Sequence, residues 1–131
     1  MPKKILVVED NPELLELLCL NCEDAGFDTA GAANGAEALE KARSLTPDLI
    51  VLDLVLPELD GFTVCERLRK DPATAGVPII VLTGLTNRAC HLAGLESGGT
   101  DFFTKPTSPQ RLISRIQELL CPSAPAQPAW S

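Results

Sequence analysis

The feature that most restricts the fold of this chain is an unbroken apolar run, Leu49-Ile50-Val51-Leu52, that ends on an acid, Asp53. A strand that is apolar at consecutive positions has no solvent face. Both of its faces must be covered, which is the situation of a strand inside a parallel sheet. The same pattern recurs along the chain. Lys4-Ile5-Leu6-Val7-Val8 and Val77-Pro78-Ile79-Ile80-Val81-Leu82-Thr83 are further strand-like runs, Phe102-Phe103-Thr104 is a short last one, and residues 28–33 make a weaker one. Stretches of helical periodicity separate them. Asn11-Pro12 opens the first, which carries Leu14, Leu15, Leu17, Leu18 and Cys22 and stops at Gly26. Asn34-Gly35 reads as a turn ahead of an alanine-rich helix over 36–45, which Pro47 terminates. Asp60-Gly61 introduces a helix through Phe62, Val64, Cys65 and Leu68. Another is expected over 87–96, and the last shows Leu112, Ile113, Ile116, Leu119 and Leu120 on one face. Five strand–helix pairs in strict alternation predict an α/β domain with a parallel sheet and right-handed crossovers.

A chain of 131 residues suits one compact domain, expected over residues 1–121, with a core large enough to dispense with disulfides. Residues 122–131, rich in Pro and Ala, read as a tail or linker stub that forms neither helix nor strand. The formal net charge of −7 speaks against the clustered Lys and Arg that phosphate contacts need, so direct nucleic-acid binding by this domain is not expected. No apolar run approaches the roughly 20 residues of a membrane span. The first residues lack the shape of a signal peptide, and the expected location is the cytoplasm. In that reducing compartment the five cysteines read as free thiols. Cys19 and Cys22 have the spacing of a redox pair or of half a zinc site. There is no second such pair, and the single His91 is far away in sequence, so two small apolar residues on one helical face is the better reading. His91 reads as a surface residue, and Trp130 as a tail aromatic with no specific role.

In an open parallel sheet, ligands bind beyond the carboxyl ends of the strands. The first strand delivers Glu9 and Asp10 there, the third Asp53, the fourth Thr83 and Gly84, and the fifth Lys105. Polar residues commonly follow strands, so any one of these is ordinary. Three carboxylates converging with a hydroxyl and an ammonium are not. Carboxylates drawn together raise one another's pKa unless positive charge intervenes. A hard divalent cation supplies that charge, and an all-oxygen donor set suits Mg²⁺. Such an arrangement fits phosphoryl transfer to a carboxylate. Aspartate is a competent nucleophile, and the transfer needs positioning and charge neutralisation more than covalent assistance. Lys105 would neutralise a phosphoryl oxygen, Thr83 would donate a hydrogen bond, and Gly84 would leave room for the incoming group.

Five separated motifs occur in order: Val8-Glu9-Asp10-Asn11, Asp53-Leu54-Val55-Leu56-Pro57, Asp60-Gly61, Leu82-Thr83-Gly84 and Asp101-Phe102-Phe103-Thr104-Lys105-Pro106. Through them, and over residues 3–120, the chain resembles the receiver domains of two-component response regulators. The resemblance implies a flavodoxin-like (βα)5 three-layer sandwich with a five-stranded parallel sheet in the order 2-1-3-4-5. It implies that Asp53 accepts a phosphoryl group from a sensor histidine kinase or a histidine phosphotransfer protein. It implies Mg²⁺ held by the side chains of Asp10 and Asp53, by the Val55 backbone carbonyl, and by Glu9 through water. Lys105 would bind the phosphoryl group, and Thr83 with Phe102 would form a switch pair acting on an unknown downstream protein or domain. A domain of this kind assists its own phosphorylation and dephosphorylation without being a turnover enzyme. Phe102 stands where tyrosine is frequent, so this ring has no hydroxyl and its position must rest on packing.

Other readings fit less well. A phosphohydrolase of the haloacid-dehalogenase type needs a second acid two residues after the nucleophile, where this chain has Val55. A flavin-binding protein needs a Ser/Thr/Gly-rich loop after the first strand, where this chain has acids. A degenerate receiver kept only for protein interaction would not keep every site position intact. In one group of DNA-binding regulators, active receivers pair through three cross-subunit ion pairs. The matching positions here are Asp101 with Arg115, His91 with Arg111 and Glu96 with Gln117, and only the first is complementary. A monomer or weak dimer is therefore expected.

Overall fold

A computed structural model of the chain describes residues 2–54, 56, 59–84, 98–105 and 108–120. Strands β1 (Lys4–Val8), β2 (Asp28–Ala32), β3 (Leu49–Asp53), β4 (Ile79–Thr83) and β5 (Asp101–Thr104) are joined in part by helices α1 (Pro12–Asp24), α2 (Gly35–Leu45) and α3 (Gly61–Lys70). Helix α4 (Pro109–Leu120) follows β5. Every neighbouring pair of strands is parallel, and the sheet order is β2-β1-β3-β4-β5, as the resemblance implies. The helix expected over 87–96 and the tail over 122–131 lie outside the described residues, as do Cys90, His91, Cys121 and Trp130.

The apolar run of β3 is buried along its whole length. Ile50 and Leu52 join Leu6, Val8 and Val81 in one core, closed by Ala38 and Ala42 of α2 and Val64 and Leu68 of α3. Leu49 and Val51 join Ile5, Val7, Ile80 and Leu82 in the other, closed by Leu18 and Cys22 of α1 and Leu112 and Ile116 of α4. The side-chain period of two in a strand sends alternate residues to opposite faces, so one continuous apolar run feeds both cores and the domain has three layers. Each fully buried Leu, Ile or Val contributes about 1.5–3 kcal/mol.

Three local details differ from the sequence reading. Asn34 does not sit in a free turn but caps α2. Its Oδ1 accepts from the Glu37 N–H (2.8 Å), while Glu37 Oε1 accepts from the Ala33 N–H (2.8 Å), a reciprocal cap. β4 starts two residues later than its apolar run, because the Val77 N–H is spent on Thr74 O (3.1 Å) and proline at 78 has no N–H for the ladder. On α1, Leu18 and Cys22 face the sheet four residues apart, whereas Leu17 is 50% exposed. The buried stripe of α1 is narrower than its leucines suggest.

One close approach ties α3 to the end of β3. A Cβ added at Gly61 would stand 2.5 Å from Leu54 Cα and 2.6 Å from Asp53 O. The Gly61 N–H donates to Leu54 O (2.9 Å), and Asp60 caps the helix by accepting from the Thr63 N–H (3.0 Å). Glycine alone allows the two backbones this near. Gly61→Ala should therefore lower stability by about 1–3 kcal/mol through overpacking. A urea titration measures this, and an unchanged midpoint would show that the contact yields without strain.

Burial pushes the Cys22 thiol up to about 12 and raises those of Cys65 and Cys19 as well. Reactive thiols need the opposite environment. Alkylation of the native chain followed by peptide mapping should leave Cys22 and Cys65 unmodified until denaturant is added. Rapid alkylation of native Cys22 would reopen a redox role for the Cys19–Cys22 pair.

Candidate functional site

The parallel strands deliver their carboxyl ends to one edge of the domain. Glu9 follows β1 directly, and its N–H donates to Ala32 O of β2 (3.0 Å). Asp53 is the last residue of β3 and pairs with Leu82 of β4. Thr83 ends β4, is fully buried, and pairs with Thr104 of β5. The Lys105 N–H extends that ladder by donating to Thr83 O (2.6 Å).

Carboxylate oxygens of Glu9, Asp10 and Asp53 lie within 4.8 Å of one another, Asp10 being exposed and the other two buried. The Lys105 Nζ donates to Glu9 Oε1 (2.7 Å) and to Asp53 Oδ2 (2.9 Å). The side chains of Glu9 and Asp53 are only 3% and 5% exposed. Burial of charge costs several kcal/mol per ion unless partners compensate, and Lys105 is the partner that serves both acids. Burial would lower the Lys105 ammonium, but its bonds to Glu9 and Asp53 and the attraction of both carboxylates outweigh it and hold it above the ordinary lysine range. Glu9 is raised, first by burial and further by the charge of Asp53, although Lys105 and the Asn11 N–H both draw it down.

These residues suit a hard cation. Among the described residues, three carboxyl groups face one ammonium, so the cluster as ionised would carry a deficit of positive charge that one divalent ion would remove. Their donor atoms are all oxygen. The cluster could thus hold a metal ion.

Of the sequence-predicted site residues among those described, Glu9, Asp10, Asp53, Thr83 and Lys105 stand at this edge, and Phe102 does not. Val55 lies outside the described residues. Phe102 is partly buried and packs on the core beneath α2 and α3, while Phe103 turns to the other core, with the Arg111 guanidinium 5.9 Å from its ring centre. Among the described residues, nothing lies within 4 Å of a Cβ added at Gly84. Sequence reasoning missed two supports. Asn11, read only as a helix opener, also donates its N–H to Glu9 Oε2 (3.2 Å) and so holds that carboxylate. Gly61, read only as a helix start, presses on the backbone of Asp53. The Asp60-Gly61 pair was the available signal for the second. Nothing in the sequence signalled the first.

Comparison with known proteins agrees with this fold. The family model for the response regulator receiver domain matches residues 5–117. Over 120 residues the chain is 42% identical to the DNA-binding dual master transcriptional regulator RpaA of Synechocystis sp., which covers 92% of this chain and 49% of that protein. It is 44% identical to the DNA-binding response regulator MtrA of Mycolicibacterium smegmatis, with 92% and 51% covered. The chain thus spans about half the length of the curated relatives it matches. The solved structure of chemotaxis protein CheY4 of Vibrio cholerae superposes with a TM-score of 0.86 at 30% identity, over 92% of this chain and 100% of that one. Among the described residues no helix is long and apolar enough to cross a membrane. With the family match running from β1 into α4, the chain belongs to the response regulator receiver domains of two-component systems.

Proposed function

We propose that this receiver is a phosphorylation-driven switch in which Asp53, together with Mg²⁺, takes a phosphoryl group from a sensor histidine kinase or a histidine phosphotransfer protein. One observation carries the reading: a buried aspartate at the sheet edge, clustered with Glu9 and Asp10 and hydrogen-bonded to Lys105. A carboxylate oxygen of Asp53 attacks phosphorus, the P–N bond of the donor phosphohistidine breaks, and the imidazole leaves with that electron pair and takes up a proton. Lys105, hydrogen-bonded to Asp53 Oδ2, would neutralise a phosphoryl oxygen. Asp10 and Asp53, with the carbonyl of Val55 and with Glu9 through water, would hold the Mg²⁺, which supplies charge neutralisation during transfer. Gly84, with no side chain, would leave room for the incoming group. Thr83 and Phe102 would carry the change outward to a downstream protein or domain. Hydrolysis of the aspartyl phosphate resets the switch, so the domain acts on itself and turns over no external substrate.

Acetyl phosphate or beryllofluoride should modify Asp53 alone, and only with Mg²⁺. Mass spectrometry of the labelled chain, with Asp53→Asn and a chelated sample as controls, reads this directly. Labelling that persists in Asp53→Asn would refute the assignment.

A second expectation concerns self-association. Arg115 Nε donates to Asp101 Oδ2 of the same chain (2.6 Å), and Arg115 also pairs with Glu118 (3.3 Å). The one complementary cross-subunit pair expected from the sequence is therefore already satisfied within one molecule. His91 and Glu96 lie outside the described residues. The receiver should sediment as a monomer or weak dimer with and without beryllofluoride and Mg²⁺. A tight, activation-dependent dimer that Arg115→Glu disrupts would contradict this.

A further inference from the structure

β5 has a register problem. It is an edge strand with one neighbour, and none of its residues is fully buried. Its centre is Phe102-Phe103, two identical side chains in succession. Register is normally specified by the burial pattern, and a one-residue slip sends every side chain to the other face. Here a slip would largely exchange one phenylalanine for the other, so the pattern discriminates poorly. Yet the same slip would carry Lys105 away from Glu9 and Asp53.

A better pin lies at the start of the strand. Thr100, just ahead of β5, grips Ile79 twice. Its N–H donates to Ile79 O (2.7 Å), and its Oγ1 accepts from the Ile79 N–H (2.9 Å). Arg69 of α3 spreads over the same corner. Its Nε donates to Gly98 O (2.8 Å), its Nη1 to Ala75 O (3.1 Å) and to Val77 O, and its Nη2 to Thr100 Oγ1 (3.2 Å). A planar guanidinium with several fixed donors can hold all of these at once, which an ammonium cannot. Gly98 is its complement. It has φ +112°, and a Cβ there would fall 2.4 Å from Arg69 Cγ. Another contact of β5 among the described residues, Arg115 with Asp101, is a partly exposed ion pair of the kind that holds weakly.

We propose that Arg69, acting through Thr100, is a positioning residue for Lys105, setting the register of β5 from the end of the sheet opposite the acid site. Its effect on labelling rests on the phosphoryl-acceptor reading; the register itself does not. The test uses the full chain carrying Arg69→Gln, Thr100→Val, Thr100→Ser or Val64→Ala. The last is a core truncation in α3 and controls for general loss of stability. Amide NMR relaxation dispersion on Phe102, Phe103 and Lys105 reports a slipping strand, and acetyl phosphate reports the site. Arg69→Gln and Thr100→Val should show exchange at all three amides. They should also lose about tenfold in maximal labelling rate, the scale of a lost charge-assisted hydrogen bond, at an unchanged half-saturating concentration. Thr100→Ser and Val64→Ala should match the unaltered chain. Quiet β5 amides, slipping with full labelling, or the same signature in Val64→Ala would each overturn the proposal. If Arg69→Gln does not fold, Thr100→Val decides. If even the unaltered chain is not labelled, the phosphoryl-acceptor reading fails, and the β5 amides still decide the register.

Discussion

The Lys105 ammonium bridges two buried carboxylates that arrive on different strands, Glu9 after β1 and Asp53 at the end of β3. Without a cation between them, two acids this buried would not stay ionised side by side. The bridge also spans the sheet, because Lys105 follows β5, the far edge, while Glu9 follows β1, beyond the intervening β3 and β4. The position of one ammonium thus depends on the register of every strand between. Conversely, a correct register on β1, β3, β4 and β5 brings the acids and their counter-charge together with no further instruction.

That dependence explains where the supporting residues lie. Gly61 lets α3 press on the backbone of Asp53 and Leu54, so the acid is held from behind by main chain rather than by a flexible side chain. Asn11 does two tasks at the start of α1: its side chain caps the helix, and its N–H holds Glu9. Lys105 is tied by its own N–H to Thr83 O before its side chain reaches the acids. In each case a backbone group helps to hold a charged residue, at its base for Asp53 and Lys105 and at its carboxylate for Glu9. This lowers the entropy to be lost when the site is used.

The interior strands β3 and β4 were legible because an apolar run is a local signal and burial on both faces is its direct consequence. Helix starts were legible at Asn11 and Asp60, where a capping oxygen precedes the first turn. The same chemistry at Asn34 was masked by the glycine after it, which made a capping residue look like a turn. Leu17 looked like core because side-chain type does not show which way a helix faces; only its packing against the sheet does. Arg69 was invisible for a related reason. A basic residue in the last turn of an amphipathic helix reads as a solvated charge, and its partners Gly98 and Thr100 lie about 30 residues further on.

By itself, the sequence determined the alternation of strands and helices and the chemical identity of what stands after each strand: acids after β1 and at the end of β3, a hydroxyl at the end of β4, an ammonium after β5. Those properties are local, since periodicity and residue type are read within a few positions. Only the tertiary structure decided that Glu9 and Asp53 are buried while Asp10 is exposed, that one lysine serves both buried acids, and that Arg69 holds the strand leading to it. These are properties of distance between segments far apart in the chain, and they exist only once the two cores have closed on the sheet.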